Sequence, residues 1–123
     1  MLKSMKKAIL GLIFLASPVV AMVNREGDQS TVLIWGTEQE AIVLLASGYD
    51  VNSVISYGPL QGYAPIHIAA MRGQVGVIDY LRKHGVDINT AVADGPNQGE
   101  TPIYIAAMYE QDDVTSYLND IAS

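Results

Sequence analysis

Apolar residues recur along this chain at helical spacing in three places. Ala41, Leu44 and Leu45 stand at i, i+3 and i+4, and Val77, Ile78 and Leu81 form an equivalent stripe. Val114, Tyr117, Leu118 and Ile121 form a third, in which Thr115 takes the place held by Ile78. Such spacing gathers each set on one side of a helix and leaves the other side polar. Boundary signals agree. Thr37-Glu38-Gln39-Glu40 reads as a capping box ahead of the first stripe, and Gly48 and Gly85 stop the first two helices. A shorter apolar run precedes the second and third stripes. Each run opens on a proline, Pro65 or Pro102, placed where a helix does not miss its N–H. Each also carries paired alanines, Ala69-Ala70 and Ala106-Ala107, small enough to let the helix lie close to its neighbours. The pattern predicts helix-turn-helix units and an all-α protein.

These units repeat. Gly58-Pro59-Leu60-Gln61-Gly62-Tyr63-Ala64-Pro65-Ile66-His67-Ile68-Ala69-Ala70-Met71 returns at Gly95-Pro96-Asn97-Gln98-Gly99-Glu100-Thr101-Pro102-Ile103-Tyr104-Ile105-Ala106-Ala107-Met108, identical at 10 of 14 positions and offset by 37. The same offset joins Gly48-Tyr49-Asp50-Val51-Asn52 to Gly85-Val86-Asp87-Ile88-Asn89. A fixed period of this size marks a solenoid, in which each unit covers the apolar face of the next.

The segment Ala64-Pro65-Ile66-His67-Ile68-Ala69-Ala70, with Gly73, Val77-Ile78-Asp79-Tyr80-Leu81 and Gly85-Val86-Asp87-Ile88-Asn89, resembles a full ankyrin repeat. Thr101-Pro102-Ile103-Tyr104-Ile105-Ala106-Ala107 resembles the start of another, with Thr101 as N-cap. Sliding back by 37 places a degenerate repeat near the front, where Gly36 matches Gly73 and helix formation is expected within 28–31, capped by Ser30 or Asp28. The resemblance implies an ankyrin solenoid of about three repeats, over about 28–52, 61–89 and 98–123, within a domain at 28–123. The period exceeds the usual spacing of about 33. The extra residues fall in 53–63 and 90–100, which should form longer loops than standard. Ala64 stands where the family has Thr, a lost cap worth about 1 kcal/mol. Tyr104 stands where His67 is found one repeat earlier. Thr115 and the missing Gly-x-Asp-x-Asn turn after it suit a terminal, capping unit.

The resemblance also implies function. Ankyrin repeats bind proteins, and the two residues after the paired alanines face a concave groove. These are Met71 and Arg72, then Met108 and Tyr109, with Ile34 and Trp35 at the matching offset. Loop residues Leu60, Gln61, Tyr63, Asn97, Gln98 and Glu100 should flank them. Trp, Tyr, Arg and Met are types enriched at protein–protein hot spots.

Charge changes the picture at the N-terminus. Lys3, Lys6 and Lys7 precede the apolar run 8–16, Pro18 breaks it, and Val19 and Ala21 are small exits. This reads as a secretory signal peptide over 1–21, cleaved after Ala21, with 22–27 as a linker. The alternative is an uncleaved membrane anchor, but the apolar stretch 8–23 falls short of the roughly 20 residues that span a bilayer. The whole chain has Lys+Arg 7, Asp+Glu 13 and a net charge of -6. Removing the three lysines leaves four basic residues against 13 acidic ones, a charge of −9. An acidic surface argues against nucleic acid and for a basic protein partner.

Catalytic chemistry is hard to find. The chain has Cys 0, which excludes disulfides, thiolate zinc and cysteine nucleophiles. His67 and His84 are not paired with carboxylates at a metal-ligand spacing, and Asp87-Ile88-Asn89 with Asp94-Gly95 lacks the pattern of a calcium loop. His67 occupies a structural position of the ankyrin pattern, His84 suits the cation-favouring end of a helix, and Asp112-Asp113 reads as a helix start. No catalytic residue, cofactor or metal is expected. The reading is an exported, monomeric, non-catalytic interaction module, periplasmic or secreted and free of the membrane after cleavage. An immunity-type inhibitor of an exported toxin or enzyme is the alternative, and a small hydrolase or metal enzyme stands further off. Mass spectrometry of the exported protein should show a chain beginning near Met22; a product that keeps residues 1–21 would contradict export by cleavage.

Overall fold

The structure, a computed structural model, describes residues 29–122. The expected signal segment 1–21 and linker 22–27 lie outside those residues. Six helices and no strands are formed among the described residues: α1 (Ser30–Trp35), α2 (Glu38–Ala46), α3 (Pro65–Arg72), α4 (Val75–Lys83), α5 (Pro102–Met108) and α6 (Asp112–Ala122). They alternate short and long, as the helix-turn-helix reading requires. Two compact units divide the chain, one ending at Leu44 and one beginning at Leu45.

In the first unit α1 is a six-residue helix that buries Val32 and Leu33. It starts inside the expected window 28–31, but the expected cap by Ser30 is not formed. Ser30 is the first helical residue, Gln29 holds the cap position, and no side chain caps it; Asp28 lies outside the described residues. With no proline to fix the entry, Ser30 is simply absorbed into the first turn. The start of α2 follows the expectation closely. The Thr37 N–H donates to Glu40 Oε1 at 2.9 Å, and the Glu40 N–H donates to Thr37 Oγ1 at 3.1 Å, the reciprocal bonds of a capping box. Ala41 and Leu44 are buried along its inner side.

The second unit is built from two helix pairs stacked side by side. α3 packs on α4 and α5 on α6; between the pairs, α3 packs on α5 and α4 on α6. Ile66, Ile68, Ala69 and Ala70 of α3, Val77, Ile78 and Leu81 of α4, Ile105 and Ala106 of α5, and Val114 and Leu118 of α6 are buried together. Burying each large aliphatic side chain contributes about 1.5–3 kcal/mol. The alanines let α3 and α5 approach, and the two prolines each occupy the first turn.

His67 organises the start of α3. Its Nδ1 accepts the Ala64 N–H at 2.9 Å, so Nε2 carries the ring proton and donates it to the Thr90 carbonyl at 2.7 Å. The missing threonine at Ala64 is therefore offset in part, because His67 satisfies the backbone N–H at the cap. Thr101 occupies the cap position of α5 as expected, but its side chain makes no cap hydrogen bond. The turns ending the first two repeats match bond for bond. Asp50 Oδ1 accepts the Asn52 N–H and Asp87 Oδ1 the Asn89 N–H, both at 2.9 Å, while Ser53 and Thr90 hydroxyls donate to the Asp50 and Asp87 carbonyls. Asp112 and Asp113 lie in the first turn of α6, where their charge suits the helix dipole. Glu110, which matches Gly73 (φ 78), is held at φ 57, a left-handed conformation that costs a non-glycine residue roughly 1–2 kcal/mol.

Burial holds the His67 pKa below its ordinary value, against an opposing contribution from the Thr90 bond. Below about pH 6.5 the unfolded chain takes up a proton that the folded imidazole refuses. The stability due to neutral His67 should thus be complete above that pH and lost as pH falls toward the folded pKa. Urea midpoints measured from pH 7.5 to 5.5 should fall with acidification, and His67→Gln should flatten the fall; an unchanged slope in that variant would contradict the assignment.

Candidate functional site

The long loops form the edge of the candidate site. In each, the backbone closes on itself in the same way: Ile55 N–H donates to the Tyr63 carbonyl and Gly62 N–H to the Ile55 carbonyl, and Val92 does the same with Glu100 and Gly99. The loops also hold each other. The Ala93 N–H donates to the Gly62 carbonyl at 3.1 Å, and the Asn97 side chain donates to the Pro59 carbonyl at 3.2 Å. Gly62 (φ +86) is indispensable here, since a Cβ would collide with the Asp94 backbone. Gln61 meets Gly95 so closely that a Cβ there would stand 2.9 Å from the Gln61 Cβ.

Beneath the loops, Tyr63 is only 1% exposed and meets the His67 ring edge-on, with centroids 5.8 Å apart. Its phenol is pushed up to about 12, first by burial, then by the Glu100 carboxylate and, at high pH, the Tyr109 phenolate. Tyr63 is a core residue, which corrects its expected place on the groove's flank. Its loop sits under the following one, and that cover is invisible in local sequence. Glu100 is half-buried, and its Oε1 is buried without a hydrogen-bond partner.

A family model described as ankyrin repeats (3 copies) matches residues 15–122. The chain belongs to the ankyrin-repeat family. A comparison with curated proteins gave no match. Ankyrin repeats are generally protein–protein interaction modules, so the ends of the inner helices α1, α3 and α5 are the places to look for a binding surface.

Several of the sequence-predicted residues stand open there. Met108 and Tyr109, at the end of α5, are each 48% exposed, and Gln98 is exposed on the second loop. Met71, Arg72, Leu60, Gln61 and Asn97 are half-buried. In the first unit Trp35 is 72% exposed at the end of α1, and Ile34 is half-buried. Within the second unit the structure joins the two loops through Gln61 and Asn97. The turn after α3 is fixed from the neighbouring repeat, since Gln111 Nε2 donates to the Met71 carbonyl at 2.8 Å.

Two features escaped the sequence reading. Tyr57, at the tip of the first loop, is 72% exposed; the signal was an aromatic residue directly before Gly58-Pro59. On the outer helices, the Tyr117 hydroxyl donates to Asp79 Oδ1 at 2.5 Å and accepts from Arg82 Nε at 3.0 Å. Asp79 also pairs with Lys83 at 2.9 Å and Arg82 at 3.1 Å. Tyr117, then Lys83 and Arg82, hold the Asp79 carboxyl well below the usual carboxylate range. This cluster ties α4 to α6 and is structural. Among the described residues no group of His, Asp and Glu is placed to hold a metal ion, and no helix is long and apolar enough to cross a membrane.

Loop stacking yields a paired prediction. Gly99 matches Gly62 and shares its positive φ, but a Cβ there meets nothing within 4 Å. Gly99→Ala should cost about 1 kcal/mol from backbone strain alone. Gly62→Ala should cost about 1–3 kcal/mol more, because the Asp94 backbone must also move. Denaturant midpoints compare the two, and equal losses would contradict loop-to-loop packing.

Proposed function

We propose that the chain is an exported, non-catalytic ankyrin module that binds a basic protein partner through the ends of its inner helices. The observation carrying this reading is the exposure of Trp35 and Tyr109, which the repeat register makes equivalent, with Met108 exposed beside Tyr109. Trp and Tyr bury much area at modest entropy cost when a partner covers them. Arg72 holds the same register position on α3 and carries a planar guanidinium of the type enriched at such surfaces. Export rests on the lysine-flanked apolar run of residues 1–21, which places the partner in the periplasm or outside the cell.

A basic partner is favoured by charge. The acidic balance attracts it at long range, speeds association and makes binding salt-sensitive. A sharper form of the reading is an immunity-type inhibitor that neutralises an exported basic toxin or enzyme. Small size, negative charge and a surface of binding rather than catalytic residue types support it.

The test starts from the partner recovered with the protein from the exported fraction. Trp35→Ala, Arg72→Ala and Tyr109→Ala should each weaken its binding by about 2 kcal/mol, and Trp35→Ala and Tyr109→Ala should leave the melting temperature nearly unchanged. Unchanged affinity in all three variants would move the binding surface elsewhere. If Trp35→Ala unfolds the protein, Trp35 serves packing instead.

A further inference from the structure

Helices α3 and α5 are equivalent by the 37-residue offset, yet one face of them meets opposite fates. On α3, Ile66, His67 and Ala70 are fully buried, where α5 packs on the helix. The matching residues on α5 are Ile103, which is half-buried, Tyr104, which is 52% exposed, and Ala107, which is exposed. Tyr104 and Ala107 are therefore open to solvent where their counterparts are covered. The loop beside them is open in the same sense, since Gly62 seats the following loop and the matching Gly99 faces open space.

The outer helix of this repeat turns polar at a position where the preceding one is apolar. Thr115 on α6 replaces the fully buried Ile78 of α4, and its hydroxyl donates to the Gln111 carbonyl at 3.2 Å. The inner helix keeps Ile, Tyr and Ala on its uncovered side. Charge then selects the occupant. Residues 84–123 contain seven Asp and Glu and no Lys or Arg. A second copy would bring like charge against this region of the chain, whereas a basic segment would be attracted to it.

We propose that this uncovered face of α5 docks a helical segment of a partner protein, apolar or small on the side that meets Ile103, Tyr104 and Ala107 and rimmed with lysine or arginine. The surface is distinct from the inner-helix ends and stands independently of the reading above. It would be occupied as α3 is occupied by α5, with the partner's helix taking the place of a further inner helix.

The probe is a synthetic amphipathic helical peptide with a Leu/Ala face and an arginine rim, set against a sibling carrying Glu for every Arg. Both are titrated into the isotope-labelled full chain and followed by amide chemical shifts. The arginine peptide should shift Ile103, Tyr104 and Ala107 and the glutamate peptide should not. Tyr104→Ala and Ala107→Arg, both at exposed positions, should each weaken the arginine peptide about tenfold or more, the loss of one anchor, while Arg72→Ala should leave it unchanged. Binding that survives Ala107→Arg, that is lost in Arg72→Ala, or that spreads along the acidic residues of α6 would overturn the proposal. So would a dimer in sedimentation that Ala107→Arg dissolves, since the occupant would then be a second copy.

Discussion

The His67 imidazole holds the first turn of α3 to the turn that closes the same repeat, and α5 then covers it. One ring nitrogen accepts the Ala64 N–H and the other donates to the Thr90 carbonyl, so both ends of repeat two are fixed by one fully buried side chain. A buried polar group is tolerable only when its bonds are made, and both are made here by backbone. Thr90 is also where the second long loop begins. The same contact therefore sets where that loop leaves the helices and how it lies against the first. Loop contacts through Gly62, Gln61 and Asn97 follow from that placement, as does the burial of Tyr63.

The outer side of the second unit depends on a different device. Asp79, Arg82, Lys83 and Tyr117 link α4 to α6 through an exposed cluster in which one phenol both donates and accepts. Exposed ion pairs contribute little individually. Their role here is to fix the register of the outer helices, while Val77, Leu81, Val114 and Leu118 supply the burial. The unit is thus held by apolar cover on its inside and by polar alignment at its edges. Met108, Tyr109 and Tyr104, on or directly after the inner helix α5, stay exposed and outside that core.

Most of the fold was legible because the 37-residue offset turns one helix pattern into a register. Val77, Ile78 and Leu81 and then Val114 and Leu118 are buried as their spacing implies, and Thr37 with Glu40 forms the expected box. What was not legible depends on neighbours distant in sequence. Tyr63 belongs to a loop, and only the packing of the next loop makes it core. Thr101 holds the right position, yet whether its hydroxyl bonds the helix is settled by side-chain geometry that spacing does not encode. Tyr104 could be read as a substitution for His67, but its exposure follows from what does not pack on α5. The start of α1 was the weakest expectation, since that degenerate repeat lacks the proline that fixes the others. Of the candidate site, the places of Trp35, Met108 and Tyr109 at inner-helix ends were legible; the burial of Tyr63 and of Glu100 Oε1 was not.

The central claim is that repeats two and three hold each other, so that neither helix pair of the second unit keeps its structure alone. Native-state hydrogen exchange tests it most directly, through the amides of Ile68 in α3 and Ile105 in α5, which donate to the Ala64 and Thr101 carbonyls. Mutual cover predicts that both exchange through one opening, with the same free energy and the same response to denaturant. Exchange of Ile105 through a lower-energy opening that leaves Ile68 protected would show that the third repeat is merely appended, and would contradict the account.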